Sequence, residues 1–257
     1  GAMGSCSPVT ANSVKLSEAT PAQIRDHVRE VRSRVEDRRS LAAAAQALAD
    51  TVFEAFAESL ALVRVFATVP FAELPPDNQD FVRGLLRARD VTAPIAPTMP
   101  VLTLMGTRGL LPDWNDRSLS RGHVGIPLSS SEFVDAIPMI ARLLAEFGLE
   151  IVGLDDGGAR IVRGKVGNLS GMFYVADART ETDDQGRLII SAQDFVSGHG
   201  VRTVFGFGGA YMLERSYVAV ILFAREFLEA DRARELAPLS SALKAATLRI
   251  VDQGRFF

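Results

Sequence analysis

The stretch HGVRTVFGFGGAYMLERSYVAVILF, residues 199–223, decides the fold. Its glycines Gly206, Gly208 and Gly209 either cradle a phosphate or lie within a strand. A dinucleotide fingerprint sets its glycines between a strand and a following helix, so that helix amides face the pyrophosphate. Here a second apolar run, YVAVILFARE, follows instead. Alternation within VRTVFGFGG puts Val201, Thr203, Phe205 and Phe207 on one face and Val204, Gly206 and Gly208 on the other. The pattern predicts two adjacent strands joined by a turn at 213–216. Glycines along one strand face leave room for something to lie close, either a packed helix or a ligand.

Working outward, GMFYVADA and RLIISAQDFV are expected to add strands before this pair, and LALVRVFATVPF and VLTLMGTRG to supply two more earlier in the chain. Between them, Pro75 and Pro76 stop the first strand and NQDFVRGLLRA forms a short helix. The segment LLPDWNDRSLSRGHVGIPL reads as a long loop, and DDGGARIVRGKVGN as an exposed hairpin or loop. A helix is expected over SSSEFVDAIPMIARLLAEFGLEI, stopped at Gly148, with Pro138 either kinking it or marking its true start. Pro238 divides the C-terminal helical region into two pieces. Short antiparallel connections of this kind imply an α+β fold: a central antiparallel sheet of about six strands flanked by helices.

The N-terminal part carries a different signal. Thr20-Pro-Ala-Gln23 is a capping box with proline at the first helical position. Ile24, Val28, Val31, Val35, Ala42, Ala45, Ala49, Val52 and Phe56 then follow spacings of four and three, with Arg38 the one polar interruption. One long helix over residues 20–58, roughly 55 Å, is the expectation. Its charged first half around Ile24, Val28, Val31 and Val35 reads as a dimerisation seam, with a helix folded back on its own chain as the alternative. Residues 1–19 are expected to be a leader, in which GAMGS reads as the remnant of a removed tag. Residues 59–257 then form the sheet domain.

Composition bounds the function classes. A formal charge of −3 gives no general attraction for nucleic acid or anionic lipid. No apolar run approaches the ~20 residues a membrane span needs. Cys6 is the sole cysteine, which excludes an intrachain disulfide and agrees with a reducing, cytoplasmic setting. A cysteine directly after the tag remnant also fits the lipid-bearing first residue of a trimmed lipoprotein.

The order PDWNDRSLSRGHVGIPL, FYVADART, SAQDFVSGHGVRTVFGFGG and AVILFARE, with the helical tail that follows, resembles a GAF domain of the kind that accompanies bacterial histidine kinases. The resemblance covers about residues 60–251. It implies a dimeric sensory domain that binds a small molecule or a protein partner and signals through its terminal helices, with a histidine kinase or another output protein as partner. A ligand-free interaction module and a haem-binding redox or gas sensor are the alternatives.

The candidate pocket combines aromatic walls with polar directors: Trp114, Arg117, His123, Phe173, Tyr174, His199, Phe205 and Phe207. Arg117 and His123 suit an anionic ligand. A haem needs only one axial histidine, for which His123 and His199 are the candidates. His27, His123 and His199 are too scattered to form a zinc motif. Asp113, Asp116, Asp177 and Asp194 would act as an acid/base group only if folding brought them together. A thiol-dependent reductase or a thioether-linked bilin would need a cysteine inside the domain, where none stands. The expectation is therefore a domain without catalytic activity.

Overall fold

In a computed structural model, described for residues 13–120, 124–154, 158–163, 171–212 and 216–257, the elements in chain order are α1 (Pro21–Val35), α2 (Leu41–Ala55), β1 (Leu60–Pro70), α3 (Pro76–Ala88), β2 (Pro100–Gly109), β3 (Gly125–Pro127), α4 (Ser131–Asp135), α5 (Pro138–Glu146), β4 (Leu149–Gly153), β5 (Ala159–Arg163), β6 (Gly171–Val175), α6 (Gln193–Gly198), β7 (Thr203–Ala210), β8 (Tyr217–Ala224), α7 (Ala230–Arg234) and α8 (Pro238–Asp252). The central sheet has six strands in the order β3-β2-β1-β8-β7-β6. All its neighbours are antiparallel. The α+β class and the flanked six-stranded sheet are as expected from sequence.

The strand membership differs in one place. The run RLIISAQDFV does not join the sheet. Ile189 and Ile190 are buried, but the Gln193 amide donates to the Ile190 and Ala178 carbonyls and the chain turns into α6. Its place in the count is taken by β3, within the segment read as a long loop. The hairpin β4–β5 stands apart from the main sheet.

The single long N-terminal helix is corrected to two. The capping box at Thr20 is present, with Gln23 N–H donating to the Thr20 hydroxyl and the Gln23 side chain accepting from Thr20 N–H. The helix nevertheless ends at Val35. Asp37 turns into the left-handed region at φ 58°, which aspartate tolerates better than most residues, and the Ser40 hydroxyl caps a new helix through Ala43 N–H. The first amides of α2 are also satisfied from far along the chain, since Leu41 and Ala42 donate to the carbonyls of Arg255 and Phe256.

Folding back brings α1 against α2 and α8, and all three lie on one face of the sheet. Ile24, Val28, Val31 and Val35 are each at most 7% exposed, so the seam read as a dimer contact is covered by the chain itself. The opposite sheet face is covered by α5, the loop after β2 and the segment leading into α6. Strand alternation sorts the residues between these layers: along β8, Ile221 and Phe223 face α5, while Val220 and Leu222 face the helical layer.

The glycines of β7 now have a role. A Cβ at Gly208 would lie 2.9 Å from Phe147 Cε2 and collide with the Val218 carbonyl, and one at Gly171 opposite would lie 2.8 Å from Phe147 Cα. The room they leave is filled by the C-terminal end of α5, a packed helix rather than a ligand.

Candidate functional site

The hollow lies further along the same face, over β1 and β8. It measures about 250 Å³ and is walled by Leu62 and Phe66 of β1, Leu102 of β2, Ile221 and Phe223 of β8, and Met139, Ile140 and Leu143 of α5. The walls form because β1 and β8 alternate and α5 begins only at Pro138, presenting one apolar stripe to the sheet. Ser130 caps the short α4 through Phe133 N–H and sets the turn that delivers this helix.

Among the described residues, one charged side chain enters this lining. Arg64 stands between Leu62 and Phe66 on the hollow-facing side of β1, and its Nη2 donates to the Ser120 hydroxyl at 3.1 Å. Burial pushes its guanidinium down to about 10, since removal from water disfavours the charged form. The sequence held a signal for it: Arg64 is the only charged residue in LALVRVFATVP, a strand buried along nearly its whole length. A charge inside such a strand is costly unless it is paired and hydrogen-bonded.

An aromatic cluster forms the rim. The Trp114 ring meets Phe195 at 5.4 Å and His199 at 4.8 Å edge-on, and Phe195 meets Phe223 at 5.4 Å. Such pairs contribute roughly 0.5–1.5 kcal/mol each beyond their area and hold α6 against the loop after β2. Trp114 is the chain's only tryptophan, so its emission reports directly on the hollow.

The other residues of the expected pocket are dispersed. Phe173 is fully buried on the hollow-facing side of β6, paired with Gly206. Tyr174, Phe205 and Phe207 point to the helical layer, where Phe205 and Phe207 meet edge-on at 6.1 Å and the Tyr174 hydroxyl donates to the Leu228 carbonyl at 2.6 Å. The reason is the strand period of two: residues adjacent in sequence cannot line one face. Arg117 lies over the Phe257 ring at 4.8 Å, away from the hollow. His123 lies outside the described residues, and so does Cys6. The hollow is smaller than the ~300–1,000 Å³ of sites for drug-sized ligands.

The four aspartates do not form a group. Asp116 accepts from the Ser118 amide and hydroxyl, and Asp177 is held down to about 2 by hydrogen bonds from Arg179. Asp113 and Asp194 are exposed. Among the described residues no cluster of three or more metal-ligating side chains occurs. No helix of the described residues is long and apolar enough to cross a membrane.

Helix α5, which forms one wall, is pinned to the sheet's outer strand. Arg142 pairs with Glu146, and donates to Glu181 at 3.1 Å and to the Tyr174 carbonyl at 3.2 Å. Glu146 accepts from Tyr174 N–H at 3.0 Å, and Glu181 from Ala176 N–H at 2.7 Å. These side chains occupy backbone groups of edge strand β6 that would otherwise be open to another strand. Burial pushes the Glu146 carboxyl up, and Arg142 opposes that rise. Arg142→Met should therefore cost about 1–2 kcal/mol at neutral pH, less than a fully buried pair because both groups are partly solvated. A raised folded-state pKa means that the folded chain takes up the proton first, so this deficit shrinks as pH falls through the carboxylate range. Thermal melts of both proteins at neutral and mildly acidic pH check the sign; a deficit that widens on acidification contradicts it.

No family model matches this sequence, and no curated protein matches it. Solved structures do match in fold. The free methionine-R-sulfoxide reductase from Neisseria meningitidis, solved in complex with its substrate, is similar at 12% identity and TM-score 0.49, over 94% of this chain and 99% of that one. The GAF domain of a phosphoenolpyruvate-protein phosphotransferase from Coxiella burnetii is similar at 11% identity and TM-score 0.47, over 92% and 99%. A GAF domain from the Acinetobacter phosphotransferase is similar at 14% identity and TM-score 0.43, over 91% and 97%. The expectation of a domain without catalytic activity is corrected here: a methionine-R-sulfoxide reductase stands among the similar structures beside the GAF domains. At these identities the likeness concerns the fold alone, an α+β sheet flanked by helices.

Proposed function

We propose that this chain is a sensory or regulatory domain that takes up a small molecule in the hollow between β1, β8 and α5. The observation that carries the reading is the hollow itself: an apolar, half-enclosed space with one charged side chain among its described lining residues, as small-molecule sites are built. Strand β8 supports a route for the signal, because Ile221 and Phe223 touch the hollow while Val220 and Leu222 touch the layer formed by α1, α2 and α8. A ligand that favours one position of α5 would bias that layer, and an output partner reading its outer surface would sense the change.

The test uses Trp114. Native mass spectrometry of the protein as isolated seeks a retained small molecule, and a panel of small carboxylates, amides and alcohols is titrated against Trp114 emission and thermal stability. A bound compound should shift the emission and raise the melting temperature. Ala192→Phe, which sets a ring at the mouth of the hollow, should abolish both effects without lowering the melting temperature of the free protein. No retained mass, no response across the panel and no difference in the Ala192→Phe variant would together refute the reading.

A further inference from the structure

We infer that the hollow admits a small uncharged aromatic molecule, a single ring with at most a short apolar substituent. The inference rests on the hollow being a ligand site and goes on to name what that site takes. Three observations carry it. First, the walls are hydrocarbon: Leu62, Phe66, Leu102, Ile140, Leu143 and Ile221 offer no side-chain hydrogen bond, so a polar occupant would give up its contacts with water for none in return. Apolar cavities of ~150 Å³ lined by Leu, Ile and Phe take up benzene, and this lining is of the same make.

Second, the one charge among the described lining residues is already engaged. The Arg64 Nη2 donates to the Ser120 hydroxyl, and both residues have further interactions within the chain. The guanidinium thereby ties β1 to the end of the loop after β2. An anion entering the hollow would have to compete with those interactions. A cation would find no aspartate or glutamate among the described lining residues, so either charge would be desolvated without a ready partner. An uncharged occupant asks for neither.

Third, ring edges are already arranged in the lining. Phe195 meets Trp114 at 72° and Phe223 at 84°, and all three rings line the hollow. One more ring beside them gains edge-to-face contacts that a saturated ring of the same shape cannot make. Met139 adds a thioether, which favours an aromatic neighbour. Size narrows the class. At ~30 Å³ for each water-sized unit, 250 Å³ holds about eight non-hydrogen atoms. That suits a benzene ring bearing one or two carbons and excludes a nucleotide.

Toluene, methylcyclohexane and benzoate are the probes, since they share a six-membered ring and differ in aromaticity or charge. Toluene and methylcyclohexane are supplied through the vapour at the same fraction of saturation, so that their unequal escape from water cancels. Toluene should raise the melting temperature of the wild-type protein and shift Trp114 emission, and methylcyclohexane should occupy the site at least about threefold more weakly. Calorimetry should show benzoate binding at least about tenfold more weakly than toluene, because a carboxylate loses its hydration on entry. Leu143→Ala, which enlarges the hollow, should improve the affinity for butylbenzene relative to toluene by about tenfold, the added methylenes now being buried. If that variant does not fold, Ile140→Val opens the same wall by less and should move the ratio in the same direction. Benzoate binding as tightly as toluene overturns the uncharged class, and methylcyclohexane binding as tightly overturns the aromatic one. Either result leaves the hollow as a site for other chemistry. Binding of none of the three also overturns the inference, while the broader panel and the Ala192→Phe variant judge the site separately.

Discussion

Replacing Val31 by aspartate is expected to abolish cooperative folding of the chain rather than to separate two subunits. Val31 is 1% exposed within α1, at the centre of the stripe formed with Ile24, Val28 and Val35, and α2 and α8 close over it. A carboxylate placed there must either stay charged in an apolar layer or take up a proton and remain without a partner. The cost should be about 4–5 kcal/mol or more, in the range reserved for buried unpaired charge, against a typical total stability of ~5–15 kcal/mol. Circular dichroism during heating should show a broad, low-temperature loss of helix, and urea unfolding should lose its sharp midpoint. Glu30→Ala, on the outward side of the same helix, serves as the control and should move the melting temperature little. The opposite outcome, an unchanged melting temperature with a halved mass in solution, would mean that this stripe is an interface between chains and that the packing of α1 described above is wrong.

Gly106→Ala should be a strongly damaging single-methyl change in the sheet. A Cβ at this position would lie 2.5 Å from the Ala45 carbonyl carbon, 2.6 Å from its oxygen and 2.7 Å from Gln46 N. All three are backbone atoms of α2, so no side chain can rotate away and the helix must lift from β2. The close approach serves a purpose. It brings the Gln46 amide to the open edge of β2, where it donates to the Thr107 carbonyl at 2.9 Å and accepts from Thr107 N–H at 3.2 Å. Overpacking costs about 1–3 kcal/mol, and loss of this paired amide adds about 1 kcal/mol or more. The melting temperature should fall by roughly 6–12 °C for a chain of this size. Gly84→Ala gives the contrast: in mid-helix α3, with nothing within 4 Å of a new Cβ, the same methyl should raise stability by about 1 kcal/mol. If both substitutions moved the melting temperature in the same direction, α2 would not be seated on β2 as described.

These two sites mark the division between local and tertiary information. The start of α1 at Thr20, the strands β1, β2, β7 and β8, the beginning of α5 at Pro138 and the split at Pro238 were written in capping residues, proline positions and apolar alternation. Each of those signals acts within a few residues, through a hydroxyl on an amide or a missing N–H. The break after Val35 was less legible because the four-and-three spacing runs on through it. Periodicity records which residues seek burial and is silent about what buries them. Only Asp37 and Ser40 announced the turn, and the carbonyls of Arg255 and Phe256 that complete the cap of α2 lie at the other end of the sequence.

The site divides in the same way. Trp114 and His199 could be chosen for their chemistry, but their meeting depends on α6 and the loop after β2 converging over Phe223. Phe205, Phe207 and Tyr174 were equally reasonable choices by composition, and sheet register turned them to the other layer. Arg64 stood in view as a charge in an apolar strand, yet its meaning required α5 to cover that face. What the sequence alone determined was therefore each element's local conformation and which of its faces is apolar. What only the tertiary structure decided was which apolar faces meet and which leave a gap, because contact and cavity depend on residues brought together from distant parts of the chain.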